Sequence, residues 1–503
     1  MKQIGDKLYK FILGLFAVEL GLVLFICIPD TQNNLPAGKM ILLPLLWTAV
    51  IICIFFGGIR IKGFLEKYHR FLFPAFLVIY GVCLFALCVI DRTEPGGDWG
   101  SVVRGAEYMA GLSDDMNWEY FAKYKNNIIP MLVLAQELKL GKLLGLSNPY
   151  WIGMFANVIQ VIVTLICTFH ICRKANNDSC VIGWLGMGML AVSLPVVGHS
   201  RVLYTDSLSL CFGVLGFMIW LKAAEGEHKG ASYWLKLTGA GFVWGIGCVL
   251  KLTVIISVIA VVLFIILFQR DRNAWKNLVV VVIVALFIGG TGAWTDAWPD
   301  PELVESIGTP RFSYWIAIGM KGGGEWVDCE DYMNEMMSLY GIDAREEFTQ
   351  QFIRDNLYEF WNPAHIIAKA KVNFANGSLG SSDFLSSEKT GNDFVWEWVS
   401  QYGSYFWRYN MICTSYFYFV LLMLIFCCIR ECRRKDSVNP CIFVPVITCL
   451  GMMIYLMIFE ANNRQLYNEF MWFVCGAASG LVFAGSAIRR RFLRSGDMPE
   501  TPQ

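Results

Sequence analysis

The chain carries no net charge: 41 Lys and Arg stand against 41 Asp and Glu. Bulk electrostatics therefore give no nucleic-acid or acidic-polymer partner. Histidine is scarce, with five in 503 residues, and no His, Cys and carboxylate residues recur at zinc-ligand spacing, which excludes a structural zinc. The seventeen cysteines lie mostly inside apolar runs (Cys27, Cys53, Cys83, Cys88, Cys167, Cys211, Cys248, Cys449, Cys475) and read as small apolar fillers of helices. Cys329 is the one cysteine expected well outside such runs, so no outer disulfide is expected. Gly322-Gly-Gly324 lacks a following Lys-Ser/Thr, which excludes a phosphate loop. No small-residue cleavage site follows the first apolar run, so the N-terminus does not read as a cleavable signal peptide.

What the chain has is apolar sequence. Hydrophobic residues make up 56% and the mean hydropathy is +0.50, whereas soluble domains hold about 45–50% apolar residues. Several runs approach or exceed the roughly 18 residues that cross about 30 Å of hydrocarbon. They are continuous rather than alternating, which predicts an all-α polytopic membrane protein. Candidate spans are 11–28, 40–57, 71–90, 150–171, 180–198, 207–222, 236–250, 253–268, 274–294, 411–429, 440–458 and 468–488. Ile128 to Leu146 is ambiguous, because it contains Gln136, Glu137, Lys139 and Lys142.

Lys and Arg accumulate on the cytoplasmic side of short loops. With the N-terminus inside (Lys2, Lys7, Lys10), the inner loops hold Arg60, Lys62, Lys67 and Arg70; Arg173-Lys174; Lys222 and Lys229; Arg270, Arg272 and Lys276; Arg430, Arg433, Arg434 and Lys435; and finally Arg489-Arg490-Arg491 with Arg494. This holds only if 128–146 does not cross, which predicts a surface helix there and twelve spans with both termini inside. Five polar stretches then share the outer face: 91–149; His199-Ser-Arg201-Val-Leu-Tyr204-Thr-Asp206; Lys251-Leu-Thr253; about 295–409; and Glu460-Ala-Asn-Asn-Arg464-Gln-Leu-Tyr467. Within 295–409, Glu330 to Asn356 reads as helical and amphipathic.

Function is expected on that face. Asp98 follows a span in Pro95-Gly-Gly-Asp98-Trp99, with Arg104, Glu107, Tyr120 and Tyr124 beyond it; Gly-Gly-Asp is also a turn pattern. Asp206 fits a helix N-cap, although capping alone does not require His199, Arg201 and Tyr204 before it. A lysine such as Lys251 between two apolar helices costs a few kcal/mol unless it reaches water or an anion, and snorkelling to the surface is the plain alternative. Glu460 and Arg464 are spaced as an i,i+4 pair. Glu19 is an intramembrane charge without an expected role.

Transferring a sugar from a polyprenyl phosphate needs a carboxylate to take the acceptor proton or hold a divalent metal. It needs cations for the leaving phosphate, and an apolar groove for the isoprenoid. Asp98 is the expected base, with Asp206 and Glu107 assisting; Asp98 and Asp206 are the candidate ligands of an Mg or Mn ion. Arg201, Lys251, Arg464, Arg104 and His199 are the candidate phosphate and donor ligands. Trp99, Tyr124, Asn126, Asn127 and Tyr204 are the candidate substrate contacts.

An acidic residue in the first outer loop just after a span, then a surface helix and further spans, resembles the GT-C superfamily of membrane glycosyltransferases, which includes protein O-mannosyltransferases. Tyr120-Phe-Ala-Lys-Tyr124-Lys-Asn126-Asn127 is similar to a Tyr-Pro-Asn-Asn element of Gram-positive members, with Lys125 in place of proline. His199-Ser-Arg201…Tyr204-Thr-Asp206 resembles the second acidic motif. Gly245-Ile-Gly247-Cys-Val-Leu-Lys251-Leu-Thr253 resembles the Lys-Pro-Thr turn, with Leu252 in place of proline. Ser313-Tyr-Trp315-Ile-Ala-Ile-Gly319-Met-Lys-Gly-Gly-Gly324 is similar to the large outer loop of an uncharacterised Gram-positive branch.

The resemblance implies a GT-C-like bundle of about 12 transmembrane helices, a surface helix in the first long outer loop and a large outer loop before the last three spans. It also implies a catalytic role for Asp98, an undecaprenyl-phosphate-linked sugar donor in a bacterial cell membrane, and transfer on the outer face to an envelope glycan, lipid or protein. The expected organisation is 1–70, two N-terminal spans; 71–294, the catalytic membrane module with outer loop 91–149; 295–409, an extracytoplasmic acceptor-binding or lid region; and 410–503, three spans and a basic tail. The competing reading is a transporter or lipid flippase, against which stands the lack of a convincing repeat between the halves. A non-catalytic assembly partner is the third, resting on Phe394-Val-Trp396-Glu-Trp398 and Phe406-Trp407, which also fit an aromatic belt.

Overall fold

The computed structural model describes residues 2–29, 36–90, 94–226, 229–269, 274–310, 312–383, 385 and 392–494. The expected site lead-in Asp91-Arg-Thr93 and the basic pair Arg270 and Arg272 lie outside these, as do the side chains of Arg491 and Arg494. All regular structure among the described residues is helical. Among the described residues, ten helical stretches of 19 to 29 residues are long and apolar enough to cross a membrane, one of them made of two consecutive helices over Thr205–Ala224.

The first three are α1 (Lys2–Cys27), α2 (Ala37–Arg60) and α3 (Lys62–Ile90). Tyr9, Leu13, Phe16 and Leu20 repeat at helical spacing on α1 and are fully buried, so this stripe seats the helix in the bundle. Glu19 lies beside that stripe, half-buried. The apolar window of α3 is the least buried of the ten, a face suited to lipid.

Three short helices follow: α4 (Gly97–Ala110), α5 (Trp118–Lys123) and α6 (Ile128–Leu143). The ambiguous segment 128–146 is thus a helix of 16 residues, about 24 Å long at 1.5 Å per residue and too short to span. It packs against α4, where Trp99, Val102, Val103, Ala106, Phe121, Met131 and Leu134 close a core separate from that of the bundle.

The bundle continues with α7 (Trp151–Ala175), α8 (Cys180–Ala191), α9 (Leu194–His199), α10 (Thr205–Leu208), α11 (Phe212–Ala224), α12 (Gly230–Leu250), α13 (Ile255–Phe268) and α14 (Leu278–Asp296). Two expected spans come out as short helices. Residues 180–198 break at Ser193, with Pro195 starting α9, and 253–268 becomes the 14-residue α13 beyond the Lys251 break.

The region 295–409 is a folded helical segment: α15 (Pro301–Ile307), α16 (Ser313–Ile318), α17 (Glu330–Ser338), α18 (Ile342–Asn356), α19 (Pro363–Phe374) and α20 (Asp393–Val399). Tyr314, Ile318, Cys329, Tyr332, Met333 and Met336 make a small core there. The expected single helix from Glu330 to Asn356 is two helices, because Gly341 adopts φ +96° and turns the chain between them. Cys329 is buried in that core, its Sγ donating to the Ile318 carbonyl at 3.3 Å. The chain then returns through α21 (Phe406–Cys432), α22 (Pro440–Ile458) and α23 (Phe470–Arg494).

The two ends of the bundle differ. At one, Lys10 Nζ reaches the Arg434 carbonyl at 3.0 Å, Arg434 pairs with Asp6 at 3.1 Å, Lys174 pairs with Glu225 at 2.7 Å, and Arg430 donates to Asn176 at 2.6 Å. These are the loops read as basic and inner. The polar stretches around Asp98, Asp206, Lys251 and Arg464 gather at the other end.

Helices α21 and α23 pack backbone to backbone at Gly480, where any Cβ would collide with the Met423 carbonyl oxygen. We expect Gly480→Val to lower the yield of monodisperse detergent-solubilised protein and its unfolding temperature. The control Gly14→Val, with open space around it, should do neither. Equal unfolding temperatures for the two variants would refute this packing.

Candidate active site

The site begins with a break in a membrane hairpin. Gly247 packs against Phe212 and Val254, where a Cβ would clash, so α12 runs close to its neighbours up to Leu250. Lys251 is then extended (φ −153°, ψ 115°), and a 3-10 turn, Leu252–Val254, restarts the chain into α13. The Lys251 ammonium does not snorkel away; it donates to Asp206 Oδ1 as an ion pair. Asp206 sits in the first turn of α10 and is 0% exposed, but it is not the cap expected from its position. Tyr204 occupies the N-cap position, and the Asp206 carboxylate serves Lys251 on one oxygen and Arg464 Nε, 3.7 Å away, on the other. The Arg464 guanidinium also lies 5.2 Å from the centroid of the Tyr204 ring.

Asp98 arrives from a different direction. Gly97, at φ +55°, lets the chain turn into α4, and Asp98 stands half-buried in its first turn. Tyr120 Oη donates to Asp98 Oδ1 at 3.2 Å. Asn127 Nδ2 donates to Tyr120 Oη at 2.6 Å, and Tyr204 Oη donates to Asn127 Oδ1 at 3.5 Å.

Asp98, Lys251 and Arg464 open onto one cavity of about 660 Å³. Tyr124, Asn126, Asn127 and Tyr204 also line it, so seven expected site residues share one space. One wall is apolar, with Val249, Leu250, Leu252 and Ile288. The facing wall comes from the 295–409 segment, with Thr309, Phe312, Trp315, Trp326 and Asp383. That segment is fastened to the Asp98 region, because Thr309 Oγ1 donates to the Lys123 carbonyl at 2.6 Å and Lys125 pairs with Asp296 at 3.3 Å.

Other expected residues do other work. Trp99 is buried in the core between α4 and α6. Arg104 is exposed on the solvent side of α4, and Glu107 accepts from the Tyr150 hydroxyl. His199 stacks on Tyr467 with centroids 3.9 Å apart, its Nε2 2.7 Å from the Leu379 carbonyl. Burial pushes its pKa down to about 4, which keeps the ring neutral and makes it a poor phosphate ligand. Arg201, also buried, donates to the Ser381 carbonyl at 3.3 Å. These five line no part of the cavity. His199 and Arg201 instead tie the outer segment to the bundle.

Sequence reading passed over four groups. Glu460 lies in an outer stretch from which only Arg464 was expected in the site, yet it lines the cavity as well. Burial pushes its pKa up to about 7, with the Asp98 and Glu325 carboxylates adding and Arg464 opposing. Asp383 lines the cavity from a loop with no motif to betray it. Trp326 follows the glycine-rich turn, and Tyr120 was named beside Asp98 without a role. A metal does not fit the expected pair. Asp206 is occupied by two cations behind the wall, and among the described residues no three His, Cys, Asp or Glu side chains converge to hold an ion.

Glu460 sets a pH dependence. Its folded-state pKa is raised above the ordinary 4.5, so the stability it contributes is full below that value and is lost as pH rises through about 7. We expect Glu460→Gln to unfold at the wild-type temperature near pH 5 and at a higher one near pH 8, read by thermal melts in detergent. A constant offset at both pH values would contradict this.

Residues 137–291 match the family model described as dolichyl-phosphate-mannose-protein mannosyltransferase. Among solved structures, the archaeal oligosaccharyltransferase AglB from Archaeoglobus fulgidus, in complex with an inhibitory peptide and a dolichol-phosphate, is similar at 12% identity and a TM-score of 0.42. The match covers 87% of this chain and 53% of that one, so the chain spans about half the length of that structure. No curated protein matches the chain.

Proposed function

We propose that this chain is a membrane glycosyltransferase of the GT-C superfamily that moves a sugar from a polyprenyl-phosphate donor to a hydroxyl of an envelope acceptor on the outer face of a bacterial membrane. One observation carries the reading: the Asp98 carboxylate, the Lys251 and Arg464 cations and an apolar wall open on the same cavity. The isoprenoid chain lies along Val249, Leu250 and Ile288. Its phosphate sits against Lys251 and Arg464, whose combined charge exceeds that of Asp206 by one (two cations, one carboxylate). The sugar then projects towards Asp98, and the acceptor enters beside Trp315 and Trp326.

In the transfer step the acceptor oxygen attacks the anomeric carbon as its proton passes to Asp98. The bond from that carbon to the phosphate oxygen breaks, and the negative charge growing there is met by Lys251 and Arg464. No step is assigned to a metal. Segregation of the basic loops at the opposite end of the bundle supports action on the outer face.

The test is Asp98→Asn with matched expression, in vesicles containing native membrane acceptors and radiolabelled undecaprenyl-phosphate-linked hexoses, mannose first. Transfer should fall by about 10²-fold or more. Wild-type transfer would remove Asp98 from its role.

A further inference from the structure

Asp98 is held by an ordered series of hydrogen bonds. Tyr204 Oη donates to Asn127 Oδ1 at 3.5 Å, and Asn126 Nδ2 donates to the same oxygen at 3.3 Å. The Asp98 carboxylate can only accept, so Tyr120 gives its one proton to it and the nitrogen end of the Asn127 amide is the end that meets Tyr120. Asn127 Nδ2 therefore donates to Tyr120 Oη at 2.6 Å, and Tyr120 Oη donates to Asp98 Oδ1 at 3.2 Å. Every proton in the series points the same way, from Tyr204 towards Asp98.

We infer that Tyr120 is a positioning residue for Asp98. It occupies Oδ1 and leaves Oδ2 as the oxygen turned to the acceptor hydroxyl. Tyr120 itself is 9% exposed and is not part of the cavity wall, so it works through Asp98 rather than by touching substrate. The far end of the series is Tyr204, whose ring carries the Arg464 guanidinium. The same side chains that orient the base therefore also fix its distance from the phosphate-binding cations. Tyr120 and Asn127 lie on the segment between α4 and α6, and Tyr204, just before α10, packs into the same core, so the whole series runs within one packed unit. A neighbouring carboxylate would disrupt it if Tyr120 could ionise, and burial raises the Tyr120 pKa and keeps the phenol protonated.

The inference rests on Asp98 being the base, and a double-mutant cycle separates the two claims. Tyr120→Phe keeps the ring and removes the proton. In the vesicle assay with undecaprenyl-phosphate-linked hexose, it should lower kcat by about tenfold to about a hundredfold, the scale of a lost hydrogen bond to a charged group. KM for the lipid donor should stay within about twofold, because the Lys251–Asp206–Arg464 group is untouched. Added to Asp98→Asn, the same substitution should cost nothing further. Tyr204→Phe, one link away, should lower kcat by a smaller factor, and that loss too should vanish on Asp98→Asn; it serves as the second variant should Tyr120→Phe fail to fold. A loss that persists in full on the Asp98→Asn background, or no loss at all, overturns the positioning role. Wild-type transfer by Asp98→Asn alone would instead overturn the assignment of the base.

Discussion

The site depends on one buried ion triad. Asp206 is wholly enclosed, and an isolated carboxylate in such a place would cost several kcal/mol after relaxation. Two cations reach it, Lys251 from the hairpin break and Arg464 from the loop before the last helix. Each brings a different stretch of chain, so satisfying one carboxylate ties together α10, the junction of α12 with α13, and the turn after α22. The triad also leaves one positive charge in excess, facing a cavity with an apolar side.

Around that triad the outer segment is stitched down at many separate points. His199 and Arg201 hold the carbonyls of Leu379 and Ser381, Thr309 reaches the Lys123 carbonyl, and Ala461 donates to the Gly324 carbonyl at 2.8 Å. Lys369, fully buried, donates to the Gly319 carbonyl at 2.6 Å, and burial pulls its pKa down to about 7. These contacts use backbone carbonyls, which fix the path of the chain whatever its side chains are. Trp315, Trp326 and Asp383 are thereby presented to the cavity from a segment outside the spanning helices.

Much of this was legible because membranes penalise the wrong residue heavily. Long apolar runs had to be helices, and the balance of Lys and Arg required residues 128–146 not to cross; α6 proves too short to do so. Lys251 stood out because a cation between apolar helices needs an anion, and Asp206 is that anion. What could not be read was which polar groups near the surface face the cavity and which fasten the chain. His199 and Arg201 looked like ligands, being polar residues beside Asp206, yet both point at carbonyls 180 residues away in sequence. Asp383 and Glu460 enter the cavity through long-range packing that no local pattern encodes. The break at Ser193 and the turn at Gly341 were likewise missed, since hydropathy does not register a change of backbone direction.

The carboxylate and the cations sit on different packed units for a physical reason. Placed on one helix, Asp98 and Lys251 would pair and neutralise each other, as Asp206 and Lys251 do. Hanging Asp98 on α4, whose own core lies against α6, keeps it out of that triad while the cavity still brings it to the same substrate. Separation alone would leave its distance from the cations loose. The bonds from Tyr204 through Asn127 to Tyr120 supply the missing restraint with neutral groups, which transmit position without adding charge. A base can thus stand near two cations without being captured by them.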